Sequence, residues 1–142
     1  MNKFVCLIIA SLGVFSGCRT HHAATQLPFQ ELNGEWNVVE MNGTSVAASE
    51  SAPYLVFDTQ SKRLSGNAGC NRIMGAVEYA KEGSDRIRFP QIATTRMACP
   101  DMSGERELLQ TLEHVERFGA AEGDAIALFN EEGERILLLK KK

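Results

Sequence analysis

The sequence predicts an α+β fold: a curled, partly barrel-like antiparallel sheet of short strands with one helix packed on it. Three observations carry this expectation. Short runs rich in Val, Ile, Leu and aromatic residues recur between Glu35 and Leu139, bounded by Gly, Pro, Asn or Asp. One stretch has a helical period, with Leu108, Leu112 and Val115 at i, i+4 and i+7. The last run, Ile136 to Leu139, is apolar on both faces, which suits a covered inner strand better than an open edge.

The chain of 142 residues opens with a different kind of segment. Lys3 precedes an apolar run from Phe4 to Phe15, then Ser16, Gly17 and Cys18. This is the order of a bacterial lipoprotein signal. The run is about a dozen residues, too short for a spanning helix of ~20. Residues 1–17 are therefore expected to be removed, Cys6 among them, and Cys18 to carry the lipid. Phe15 stands where Leu, Val or Ile is usual. The alternatives are an ordinary signal peptide cut elsewhere and a buried first strand. Arg19, rather than Asp, follows Cys18, which by bacterial sorting logic directs the protein to the outer membrane, facing the periplasm. Residues 18–30 lack periodicity and read as a flexible tether. His21 and His22 lie in it, but a metal site needs three or four convergent ligands.

Residues 31–140 are the right length for one domain. The leader holds Lys3 and no acid, so its loss takes the formal net charge from −3 to −4. A mildly acidic chain does not suggest nucleic acid. Lys140, Lys141 and Lys142 read as a solvated end. Cys70 and Cys99 remain for the domain. In an oxidising compartment a structural disulfide is expected. Such a bridge would stabilise by about 3–4 kcal/mol through chain entropy. Two buried free thiols or a redox pair are the other readings, and neither cysteine sits in a Cys-x-x-Cys sequence.

The first strand is expected from Glu35 to Met41, with Trp36, Val38 and Val39 as β-formers. Asn42-Gly43 is a turn because both residues tolerate positive φ. Thr44 to Pro53 reads as loop. Tyr54 to Phe57 is a buried strand, Asp58 to Ser61 a turn, and Arg63 to Asn67 pairs back as a hairpin. Gly66, Gly69 and Gly75 mark tight bends or close backbone approach. A phosphate loop is excluded, since neither lysine nor an amphipathic helix follows them. Ala76 to Tyr79 is the next expected strand, Lys81 to Asp85 a charged turn, and Arg86 to Phe89 a strand ended by Pro90. Ala93 to Cys99 is expected to be extended. The helix starts near Asp101 or Ser103 and ends at Gly119, with Glu113 and Arg117 on its outer face. Glu105 and Glu107 complement its dipole. A hairpin of Ala125 to Phe129 and Arg135 to Leu139, turning at Glu132-Gly133, closes the chain. The expected core includes Trp36, Leu55, Phe57, Phe89, Leu112, Leu128 and Leu138.

The chemistry-bearing motifs are few. There is no zinc-protease helix, Gly-x-Ser-x-Gly elbow or Cys/His cluster. His114 is the one histidine of the domain, and Asp58, Asp85 and Asp101 are ordinary acids. A catalytic constellation, a metal and a cofactor are not expected.

Two segments do form a pattern together. One is Ser65-Gly66-Asn67-Ala68-Gly69-Cys70-Asn71, followed by Gly75 and Tyr79. The other is Ala93-Thr94-Thr95-Arg96-Met97-Ala98-Cys99-Pro100 before an acidic helix. With Leu32-Asn33-Gly34-Glu35-Trp36 at the start and a strand pair around Gly133 at the end, the chain resembles the META domain family of HslJ-like heat-shock proteins over about residues 31 to 140. The resemblance implies a small envelope protein, often a lipoprotein, with strands wrapped around one helix. It implies links to heat shock and novobiocin resistance without an established reaction, and a fold similar to pilot lipoproteins that chaperone secretion-channel subunits. It supplies no catalytic residue. The residues it marks are Gly66, Gly69, Cys70, Asn71, Gly75, Thr95, Arg96, Met97, Ala98 and Cys99.

The residues themselves point to structure. The glycines shape a loop, Cys70 can tie it to the segment before the helix, and Asn71 can bond backbone amides there. Arg96 is expected to find a salt bridge inside the fold. Together these readings give a non-enzymatic, lipid-anchored envelope protein with a protective, stress-related or chaperone-like role. Its partners would be the membrane, through its lipid, and an envelope protein client. The alternative is a small-ligand binder with an apolar pocket in the curled sheet.

Overall fold

The structure is a computed structural model, and it describes residues 26–142. The leader, Cys18 and the first part of the tether lie outside the described residues. A 3-10 turn, Phe29–Leu32, opens the domain. Phe29 and Leu32 are both buried, so the core begins inside the stretch assigned to the tether. Phe29 stacks on Tyr79 with ring centroids 4.1 Å apart and meets Phe118 edge-on.

Strand β1 (Gly34–Met41) turns at Asn42 and Gly43, both at positive φ, into β2 (Thr44–Ser45). The expected loop thus begins with a short strand paired to β1. β3 (Tyr54–Asp58) and β4 (Arg63–Asn67) form the expected hairpin. Asp58 Oδ1 accepts the Gln60 and Ser61 N–H groups at the turn, 3.0 Å each. β5 (Arg72–Ala76) precedes β6 (Glu78–Tyr79). The strand expected from Ala76 therefore begins earlier, because β5 pairs with β4 without a break from Arg72 to Ala76. The ladder stops at Val77, whose N–H turns to Lys62 O. β7 (Ile87–Arg88) and β8 (Ile92–Thr94) follow on either side of Pro90. Extended pairing ends at Thr94 rather than Cys99.

The helix, α1 (Ser103–Glu113), is shorter than its periodicity suggested. Gly119 does not end it. Arg117 to Ala120 instead form β9 (Arg117–Ala120), paired with β10 (Ala125–Phe129). The Glu116 N–H donates to Phe129 O at 2.9 Å, so the sheet takes over where the expected helix would continue. Val115 completes the buried stripe from just beyond the helix. Glu113 and Arg117 accordingly do not share a helix face. At the start, Asp101 Oδ1 accepts from the Ser103 N–H and hydroxyl, next to the Met102 N-cap.

β11 (Arg135–Lys141) lies between β1 and β10, an inner strand as expected. The sheet runs β8-β5-β4-β3-β1-β11-β10-β9, with β2 added to β1. It is curled but not closed. The core holds the predicted Trp36, Leu55, Phe57, Phe89, Leu112 and Leu128. Leu138 is half-buried instead. Leu137 and Leu139 are the buried leucines of β11, because side chains alternate across the strand.

The two ends of the sheet differ. Beside β9 lies the β6–β7 ribbon. The Ile87 N–H donates to Glu116 O at 3.1 Å, and the Phe118 N–H to Asp85 O at 2.9 Å. Beyond β8 no further strand pairs among the described residues.

Candidate functional site

The two motif segments meet beside the N-terminal turn of α1. The chain after β4 bends at Gly69, whose N–H donates to Asn67 Oδ1 at 2.7 Å, while the Ala68 N–H donates to Asn71 O at 2.8 Å. Cys70 is joined to Cys99 by a disulfide, with Cα atoms 6.2 Å apart. Of the readings open for these cysteines, the bridge is the one observed.

Asn71 sits at the centre and is 1% exposed. Its Oδ1 accepts from the Thr95 hydroxyl and the Met97 N–H, 2.7 Å each. Its Nδ2 donates to Glu105 Oε1 at 2.8 Å and to Met97 O at 3.3 Å. Both amide hydrogens and both oxygen lone pairs are thus used. The Asn71 N–H donates to Glu105 Oε2 at 2.7 Å, and the Cys70 N–H to the same oxygen at 3.3 Å. Thr95 extends the network, its hydroxyl accepting the Arg72 N–H at 3.1 Å.

Glu105 is the residue that sequence reasoning missed. Its position in the sequence suits the helix dipole, yet it is only 6% exposed. A signal was present: Glu105 stands three residues before Leu108, on the apolar stripe itself. An acid there has to find donors. Burial raises its pKa. The hydrogen bonds from the Asn71 N–H, the Asn71 side chain and the Cys70 N–H outweigh this and hold it below its ordinary 4.5. Glu105 is therefore a carboxylate that fastens α1 to the motif loop.

The glycines explain their own positions. A Cβ on Gly66 would lie 2.1 Å from Tyr54 O, and one on Gly75 2.5 Å from Gln91 O. Both let neighbouring strands approach where a side chain would collide. The remaining motif residues face outward. Arg96, Met97 and Ala98 are exposed. The expected buried salt bridge of Arg96 is not found: the ion pairs among the described residues join Arg86 and Arg88 to Glu116, Arg135 to Glu40, and Lys142 to Glu35. The reason is position, since the chain past Thr94 runs along the surface and leaves Arg96 in water. Lys142 is likewise more than a solvated end, for it pairs with Glu35 at 2.6 Å and lies over the Tyr54 ring.

The space inside the curl is occupied by core side chains, including Trp36, Phe57, Phe89 and Phe118. Clefts open on the surface of the described residues. One, of about 470 Å³, is acidic and lined by Glu107, Glu131, Glu132, Glu134 and His114. Another, of about 520 Å³, runs along the β6–β7 ribbon. His114 is exposed, its Nδ1 2.7 Å from Gln110 O. No group of three His, Cys, Asp or Glu among the described residues has metal-holding geometry.

These features define a small α+β domain in which a curled sheet is stapled to its single helix through a Gly-Cys-Asn loop. The META domain model matches residues 28–142, and the chain belongs to the META domain family. No curated protein matches the chain. Among solved structures, it is similar to a protein from Burkholderia xenovorans solved by NMR, at 20% identity and a TM-score of 0.62, covering 100% of this chain and 99% of that one. It is also similar to a DUF4847 family protein from Bacteroides vulgatus, at 15% identity and a TM-score of 0.55, covering 79% of this chain and 94% of that one. At these identities the likeness is one of fold.

Proposed function

We propose that the protein is a lipid-anchored, non-enzymatic module of the cell envelope. In this reading it is tethered through Cys18 to the outer membrane, faces the periplasm and holds exposed segments of other proteins under stress. The observation that carries the binding role is the placement of the two exposed large hydrophobic side chains among the described residues. Met74 is 51% and Met97 59% exposed, and both flank β8. Flexible, polarizable methionines suit a surface that meets varied apolar partners. The polar groups of the motif support the same reading, since Asn71 and Glu105 spend their hydrogen bonds inside the fold.

Two measurements test it. Palmitate labelling should mark the wild type and vanish in Cys18→Ala. Label retained in that variant rules out the anchor. The purified chain should slow aggregation of a denatured exported protein diluted from urea, and no effect at excess chain would remove the client-holding role.

A further inference from the structure

Resting on that client-holding reading, we infer that β8 is a docking edge that takes an extended, acidic peptide segment as an added antiparallel strand. Four observations converge on this edge. The first is backbone geometry. The Thr95 N–H donates to Arg72 O at 3.1 Å, so Thr95 faces β5. Antiparallel alternation then turns Ala93, opposite Met74, the same way. Ile92 and Thr94 therefore point their N–H and C=O groups away from the sheet, where no strand receives them among the described residues. The other end of the sheet is covered by the β6–β7 ribbon, so the opening is one-sided.

The second is the apolar surface: Met74 lies opposite Ala93 in the outer row of the sheet, and Met97 follows β8 along the chain. The third is charge. Arg72 and Arg96 are exposed, flank the same edge and belong to none of the ion pairs among the described residues. An acidic strand complements them. A second copy of this chain, paired antiparallel through β8, would offer them no acidic side chain, since residues 86–100 hold none. The fourth is rigidity. The Cys70–Cys99 disulfide and the Asn71 and Thr95 hydrogen bonds fix the segment that follows β8, so little ordering accompanies binding. Main-chain bonds would supply affinity, and the methionines and arginines would select the side chains.

The test uses the folded, disulfide-bonded chain and a peptide of about ten residues, enough to span one edge. It alternates Val with Glu and Thr, and its control carries Lys in place of Glu. In amide-resolved NMR titration the Glu peptide should shift and protect the Ile92 and Thr94 amides and move the Met74 and Met97 methyl signals. The Lys peptide should bind about tenfold weaker or less. Thr94→Pro removes one outward N–H without touching the ladder to β5, so it should leave the fold intact and abolish peptide binding. The double variant Arg72→Glu, Arg96→Glu should exchange the preference between the two peptides. Shifts elsewhere, equal binding of both peptides, or dimers that disappear in Thr94→Pro would overturn the proposal. Aggregation assays separate it from the broader reading. If Thr94→Pro still holds an unfolded client as well as wild type, the edge is wrong and client holding stands. If the Glu peptide binds the edge while wild type holds no client, the reverse is true.

Discussion

Asn71 and Glu105 show how one pair of polar side chains can fix three segments at once. Only an amide fits at 71, because that side chain must donate to Glu105 and accept from Thr95 and Met97 together. Asn71→Asp would set a second carboxylate against Glu105 and leave Met97 O without its donor. A loss of about 3 kcal/mol or more is expected in urea titration at neutral pH, narrowing as the pH falls. Glu105→Gln keeps the shape but turns an NH₂ group toward one of the donors, costing about 2–3 kcal/mol. The sign of the pH effect follows from the depressed pKa of Glu105. The folded state binds its proton less readily than the unfolded state, so the contribution is complete above the unfolded value near 4.5. It fades as the pH drops through the lower folded value. Melting curves of wild type should lose stability across that acid window, and Glu105→Gln should flatten that loss. A variant with the same acid profile as wild type would remove Glu105 from this role.

Strands β4 and β5 depend on glycine for a different reason, the closeness of the backbones beside them. Gly66→Ala and Gly75→Ala each drive a methyl group into a carbonyl oxygen. Each should cost several times the ~1–2 kcal/mol of Gly43→Ala, where φ is positive but nothing lies within 4 Å. Gly75 is the cleaner case, since its φ is ordinary while that of Gly66 is +152°; a Gly75→Ala loss no larger than that of Gly43→Ala, by urea titration, would mean that the close approach costs nothing. This contrast also explains which elements could be read from the chain. The β3–β4 hairpin and the last hairpin were legible because apolar alternation and turn residues agree there. β5 was not, since Arg72, Met74 and Gly75 carry little β-signal and the strand exists through pairing with β4. The end of α1 was misplaced because Glu113 to Gly119 suits a helix locally, while β10 offers Arg117 to Ala120 a ladder that periodicity cannot reveal. At the motif, Cys70, Asn71 and Cys99 were legible as a structural group. Glu105 was legible only through its place on the apolar stripe, because a first-turn acid also suits the helix dipole, and the exposure of Arg96 follows from a chain path that sequence does not encode locally.

The disulfide joins these levels, for it ties the loop after β4 to the segment between β8 and α1, across a sequence separation of 29. That segment carries the exposed edge at one end and the helix at the other. Closing such a loop removes about 3–4 kcal/mol of unfolded-state entropy, a large share of a small domain's stability. In a domain of this size the loss corresponds to about 10–20 °C in Tm. Cys70→Ser with Cys99→Ser, or reduction of the native chain, should lower Tm by that amount. The fold should persist at room temperature, because Glu105 and Asn71 still clamp α1 to the loop. Hydrogen exchange should locate the change. Without the bridge, protection should fall first over 92–101, while β11, flanked on both sides by β1 and β10, keeps its slow amides. A chain that melts at the same temperature with and without the bridge would show that hydrogen bonding alone holds the motif. Uniform loss of protection, reaching β11 as early as β8, would instead mean that the clamp cannot hold α1 once the covalent tie is gone.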